Sequence, residues 1–151
     1  MIPIVGIWFA TASVSVSSQC DETRILAGRK AIEIADYQSS ATPPPTAVVA
    51  QIEANLADLL AQCSRSHRHM MDSSVGDLLE ASVYAERSAT TYLHLEERKQ
   101  ACEMLHRSAE LSTAARKLAA TDEDKHRIFV DRAHEVYVQK LISAECARPP
   151  H

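Results

Sequence analysis

The alternation of apolar and polar positions divides the chain into helical stripes separated by a few breaks. The clearest stripe begins after Thr46, a residue suited to N-capping. There Val48, Val49, Ile52, Leu56, Leu59, Leu60 and Cys63 recur at helical spacing and mark one side of a helix. A weaker stripe precedes it over about Asp21 to Gln38, with Ala27, Ala31, Ile34 and Ala35 on one face. The two are separated by Ser39 to Pro45, whose three consecutive prolines remove backbone donors and restrain the residues before them. Ser64 to Ser74 is polar and irregular, and Asp72, Ser73 and Ser74 can each cap the next helix.

From Val75 to about Ala119 the helical pattern is sustained, through Leu78, Leu79, Ala85, Ala89 and Tyr92, then Ala101, Leu105, Ser108, Leu111, Ala115 and Leu118. Leu95 is where this long helix could break. Thr121-Asp122-Glu123-Asp124 offers a capped, acidic start to a last helix, with Phe129, Ala133, Val136, Tyr137 and Leu141 expected to face inward. Glycine and proline are absent between Gly76 and Pro149, alanine is abundant, and aromatics make up only 5% of the chain, so a sheet has little to be built from. The fold class expected is all-α: a small bundle of two antiparallel helical hairpins, about four helices in all.

Composition adds exclusions. At 151 residues, 46% apolar, 24% charged and a formal net charge of −4, the chain suits one globular domain and lacks the basicity of a nucleic-acid binder. With only Gly6, Gly28 and Gly76, it can hold no Gly-rich phosphate loop, dinucleotide fingerprint or nucleophile elbow. A Ser/His/Asp triad could be assembled on paper from many combinations, so no catalytic residue is named, and an enzyme is not expected. Residues 2–12 (IPIVGIWFATA) are uncharged and apolar, and Ala10-Thr11-Ala12 supplies small residues for signal-peptidase cleavage, although no basic segment precedes them. Residues 1–12 are therefore expected to be a signal peptide, 13–148 a helical domain and 149–151 a tail. That makes the chain secreted or periplasmic, with no stable membrane span after cleavage; without a signal it would be cytoplasmic.

The four cysteines act as a ruler. In an antiparallel hairpin, residues equidistant from the turn lie side by side. The midpoint of Cys20 and Cys63 falls between Ala41 and Thr42, inside the proline break; that of Cys102 and Cys146 falls on Asp124, inside the cap of the last helix. Cys63 with Cys102 would centre on continuous helix, between Ser82 and Val83. Of three connectivities, geometry selects Cys20–Cys63 with Cys102–Cys146. Each would close a loop of more than forty residues, which loop-closure entropy values at roughly 4 kcal/mol. The alternative is four reduced core thiols. Structural zinc would need ligands at short spacing, and these cysteines are too far apart in sequence.

Two further patterns invite metal. Glu103-x-x-His106 and Asp131-x-x-His134 share the spacing of di-iron bundles, but 20 acidic residues and 7 histidines yield about one such spacing by chance. In the mirrored register His106 and His134 would also stand about 12 Å apart along the axis, too far for one site. His67, His69 and Met70 bring imidazole and thioether donors together, types that suit copper, and form the alternative metal-binding reading. No other cofactor is expected.

Ala89, Tyr92, Ala101, Leu105 and Ser108 resemble five consensus positions of one tetratricopeptide repeat. Stepping by the 34-residue period puts Asn55 and Glu123 at the small position, so the likeness covers a single hairpin. It implies protein or peptide binding, and supports a third reading as an intracellular interaction scaffold. The function expected first is that of an exported, non-enzymatic helical module that binds a protein or peptide.

Overall fold

The computed structural model describes residues 20–39, 46–66, 69, 71 and 73–147. The N-terminal apolar segment, the proline break, His67, Met70 and the tail after Ala147 lie outside the described residues. Among the described residues five α-helices succeed one another: α1 (Glu22–Ser39), α2 (Ala47–Cys63), α3 (Ser74–His94), α4 (Arg98–Leu118) and α5 (Asp122–Leu141), which continues into a π-helical turn (Ile142–Cys146). Among the described residues none forms a strand, so the all-α class holds. The helices number five because the long stripe after Val75 breaks after His94. No described helix is long and apolar enough to cross a membrane.

Local chemistry sets the ends. The Thr46 hydroxyl accepts from the Val49 amide (3.4 Å), the Ser73 hydroxyl from the Gly76 amide (3.1 Å), and Thr121 with Asp124 forms a capping box. At the break, the amides of Glu96 and Glu97 return to the carbonyls of Leu93 (3.1 Å) and Tyr92 (2.9 Å), a Schellman closure. Its left-handed position (φ 60°) is occupied by Glu96, where glycine is usual, so the sequence carries no glycine signal for the stop.

The centre of the molecule is α2, α3 and α4, not two independent hairpins. The most extensive packing is α3 on α4, then α2 on α3. Small residues let α3 and α4 approach closely: Ser82, Ala85 and Ala89 face Ala101, Ser108, Ser112 and Ala115, all buried, while Ser88 turns to α2, its Oγ donating to the Ala50 carbonyl (2.8 Å). The hydroxyls are satisfied within the interface, Ser82 Oγ lying 3.1 Å from Ser108 Oγ and 2.8 Å from Ser112 Oγ, while Ser108 Oγ donates to the Ser82 carbonyl (2.9 Å). Leu56, Leu60, Leu105 and Leu111 fill the space around them.

The outer helices correct the expected faces. α1 buries Ile25 and Ile32; of the face expected inward, Ala31 and Ala35 are half-buried, while Ala27 is exposed and Ile34 is 48% exposed. Gly28 explains this rotation, because a Cβ there would come within 2.7 Å of the Leu56 side chain. α5 departs further. Phe129 is 72% exposed, Ala133, Val136 and Tyr137 also face solvent, and Leu141 is half-buried, so the stripe expected in the core points outward. Asp124 and Val138 are the buried residues of α5. At the other two stripes Val48 and Leu118 are exposed, being the end positions of otherwise buried faces.

Cys20 pairs with Cys63 and Cys102 with Cys146, with Cα atoms 4.4 and 5.6 Å apart. The first pair joins the residue just before α1 to the end of α2. The second joins α4 to the turn that ends α5. Each disulfide thus ties an outer helix to an inner one.

Candidate functional site

A groove of about 570 Å³ runs between α3 and α5. Its apolar surface comes from Leu79 and Val83 of α3, Val130 of α5 and Met71 of the preceding loop. Gly76 makes the narrow end possible: a Cβ there would lie 2.7 Å from Arg127 Nη1 and from Met71 Cβ. A larger residue there would push the Met71 loop away from the start of α3, whereas the Arg127 guanidinium could swing aside.

The polar side of the groove carries Glu80, Tyr84, Arg87, His126, Arg127, Asp131 and His134, and Arg127 donates to Glu123 Oε1 (2.7 Å). Glu80 Oε1 is bound by Arg29 of α1, and its second oxygen is buried without a hydrogen-bond partner. Arg87 lines the groove while its Nε donates to Glu53 Oε1 (3.0 Å) and its Nη2 to both oxygens of Asp36 (2.9 Å each). Glu53, 2% exposed, also accepts from Thr91 Oγ1 (3.4 Å), so one buried carboxylate of α2 is held by two side chains of α3. Burial raises the Glu53 pKa, with Arg87 acting against the shift.

His134 stands between two carboxylates, Nδ1 3.6 Å from Asp131 Oδ1 and Nε2 3.9 Å from Glu86 Oε2. These distances exceed hydrogen bonds, and both ring nitrogens are buried without such a partner. The neighbouring Asp131 carboxylate raises the imidazole pKa, with burial opposing it. Glu86 is oriented by Thr90, whose hydroxyl donates to its other oxygen at 2.7 Å. Two carboxylates on opposite sides of one ring do not converge on a metal. The groove's lining thus sets two carboxylates, Glu80 and Asp131, beside Arg87, His126, Arg127 and His134.

The other sequence candidates are dispersed. Glu103 and His106 line a separate depression of about 370 Å³ beside the Cys102–Cys146 disulfide, together with Arg98, Lys99 and Glu145. Asp131 and His134 do meet, but their third partner is Glu86 of α3. His69 has Nδ1 3.3 Å from Asp77 Oδ2, and the same Asp77 accepts from the Met71 amide (2.8 Å). This pair ties the loop to α3, and burial raises the Asp77 pKa. Among the described residues no group of three or more His, Cys, Asp or Glu side chains could hold a metal ion. Ala89 and Tyr92 of α3 and Ala101, Leu105 and Ser108 of α4 are all buried on the two helices that flank the turn at Leu95 to Glu97.

Sequence reasoning found Asp131 with His134 but missed Glu80, Glu86 and Arg29. These are matched only through the fold, Arg29 and Glu80 being 51 positions apart. No protein-family model matches the chain, and neither a curated protein nor a solved structure matches it.

Proposed function

We propose that the protein is an exported, non-enzymatic helical module whose α3–α5 groove takes a peptide segment carrying an apolar side chain beside a basic one. The observation behind this reading is the groove itself: an apolar floor bordered by the carboxylates of Glu80 and Asp131, with the neighbouring Arg87 and Arg127 bound to Glu53, Asp36 and Glu123. Leu79, Val83 and Val130 suit an aliphatic or aromatic side chain. The unpartnered oxygen of Glu80 and the Asp131 carboxylate beside His134 suit an ammonium, guanidinium or amide donor. Export is supported by the apolar, uncharged residues 2–12 and by four cysteines committed to two disulfides, a state that persists in oxidising compartments.

The test is calorimetric titration of the oxidised protein with short peptides pairing Leu or Phe with Arg, against peptides with Glu in place of Arg. Binding of the first set is expected, weakened about tenfold or more by Val83→Glu, which places a carboxylate on the apolar floor at a position 37% exposed. Equal binding of both sets, or indifference to Val83→Glu, would remove the groove from the reading. Substrate turnover by the purified protein would remove the non-enzymatic part. N-terminal sequencing of the protein from its native host reads export directly, with cleavage after Ala12 expected.

A further inference from the structure

The outward face of α5 has an order of its own. Phe129, Val130, Ala133, Val136 and Tyr137 lie at −4, −3, 0, +3 and +4 about Ala133, the spacings of neighbours on a helix surface. The sequence of large, small and large positions is therefore the same read from either end. Phe129 and Val130 are 72% and 66% exposed, and Val136 and Tyr137 48% and 46%. Each face of a two-fold interface must complement itself, and this one does: with the axis at Ala133, an antiparallel copy sets Phe129 against Tyr137 and Val130 against Val136. Alanine at the crossing point permits close approach of the two helices.

The ends of α5 differ in charge: its first turn carries Asp122 and Glu123, which pair within the chain with Lys125 (3.5 Å) and Arg127 (2.7 Å), and its last turn carries Lys140. In the antiparallel pair, Asp122 of one copy lies within about one helical turn of Lys140 of the partner subunit, and the two helix dipoles oppose. His126, level with Lys140 of the partner subunit, is an unfavourable neighbour.

We infer that this face of α5 is the contact of a homodimer, two copies packed antiparallel about Ala133. The face lies beside the groove and shares His126 and Val130 with it.

Sedimentation equilibrium of the oxidised full chain, carried to about 200 µM to exceed the micromolar dissociation constants of small interfaces, is expected to give twice the 16.6 kDa chain mass. Val136→Asp should return the monomer with an unchanged helical melt, since the side chain is already half exposed. Lys140→Glu should weaken association roughly fivefold. Ala133→Cys should give a dimer linked through that position on mild oxidation, and Arg132→Cys, off the face, should not. A chain that stays monomeric overturns the inference, whether hydrogen exchange finds the face covered by residues 2–12 or bare for a foreign partner. So does a dimer indifferent to Val136→Asp.

Discussion

Helices α4 and α5 are nearly equal in length, at 21 and 20 residues, yet they are held in opposite ways. α4 has mostly small apolar residues and buries six positions, Ala101, Leu105, Ser108, Leu111, Ser112 and Ala115. α5 carries larger ones, including Phe129, Val130, Val136 and Tyr137, and leaves these in solvent. Apolar content therefore does not decide which helix is central. What decides it is whether a stripe of small residues lets two helices approach, as α4 does on α3. α5 is retained by Val138, by the disulfide just beyond it and by ion pairs such as Arg116–Glu135 (2.7 Å). One helix is packed and the other is tied on.

Removing the tie should separate the two helices most clearly. Replacing Cys102 and Cys146 together by Ala should lower stability by roughly 4 kcal/mol in denaturant titration, with the losses in hydrogen-exchange protection concentrated in α5. Equal losses across α2, α3 and α4 would contradict the division. Next in size, Leu105→Ala opens a cavity in the inner packing and should cost about 3 kcal/mol, whereas Phe129→Ala in the monomer should stay within about 0.5 kcal/mol. Similar costs at the two sites would show that α5 is packed after all. The smallest effect concerns the contact of α5 with α3. His134 has a folded pKa raised above the ordinary 6.5, so its protonated form stabilises the folded chain. That contribution is complete below the ordinary value and is lost as pH rises through the folded one. His134→Gln should flatten this part of the stability–pH curve, and an unchanged slope would assign it elsewhere.

Much of the framework is legible in the sequence because it depends on nearby residues. Thr46, Ser73 and Thr121 cap their own helices, and the prolines and Asp124 mark the centres about which the cysteines pair. The facing of α1 and α5 is not legible there. Periodicity reports where a helix is apolar, while the covered side depends on what the neighbouring helix offers. Leu56 offers α1 a surface that only Gly28 can approach, turning Ile25 and Ile32 inward. α3 offers α5 the carboxylate of Glu86, which draws in the side bearing Asp131 and His134 instead of the side bearing Phe129. The candidate site shares this limit, since Arg29, Glu80 and Glu86 acquire their partners from helices distant in sequence.

The serine cluster between α3 and α4 has a consequence for motion. Ser108 and Ser112 are one helical turn apart and both meet Ser82. If α4 slid by a turn, either Met104 or Arg116 would be carried into a hydroxyl's place beside Ser82, and neither can replace its bonds. The short turn at Leu95 to Glu97 closes the same pair at one end. The α3 wall of the groove is therefore a fixed jaw. Any widening to admit a ligand falls to α5, whose ends are fixed by the Thr121 capping box and by the disulfide at Cys146.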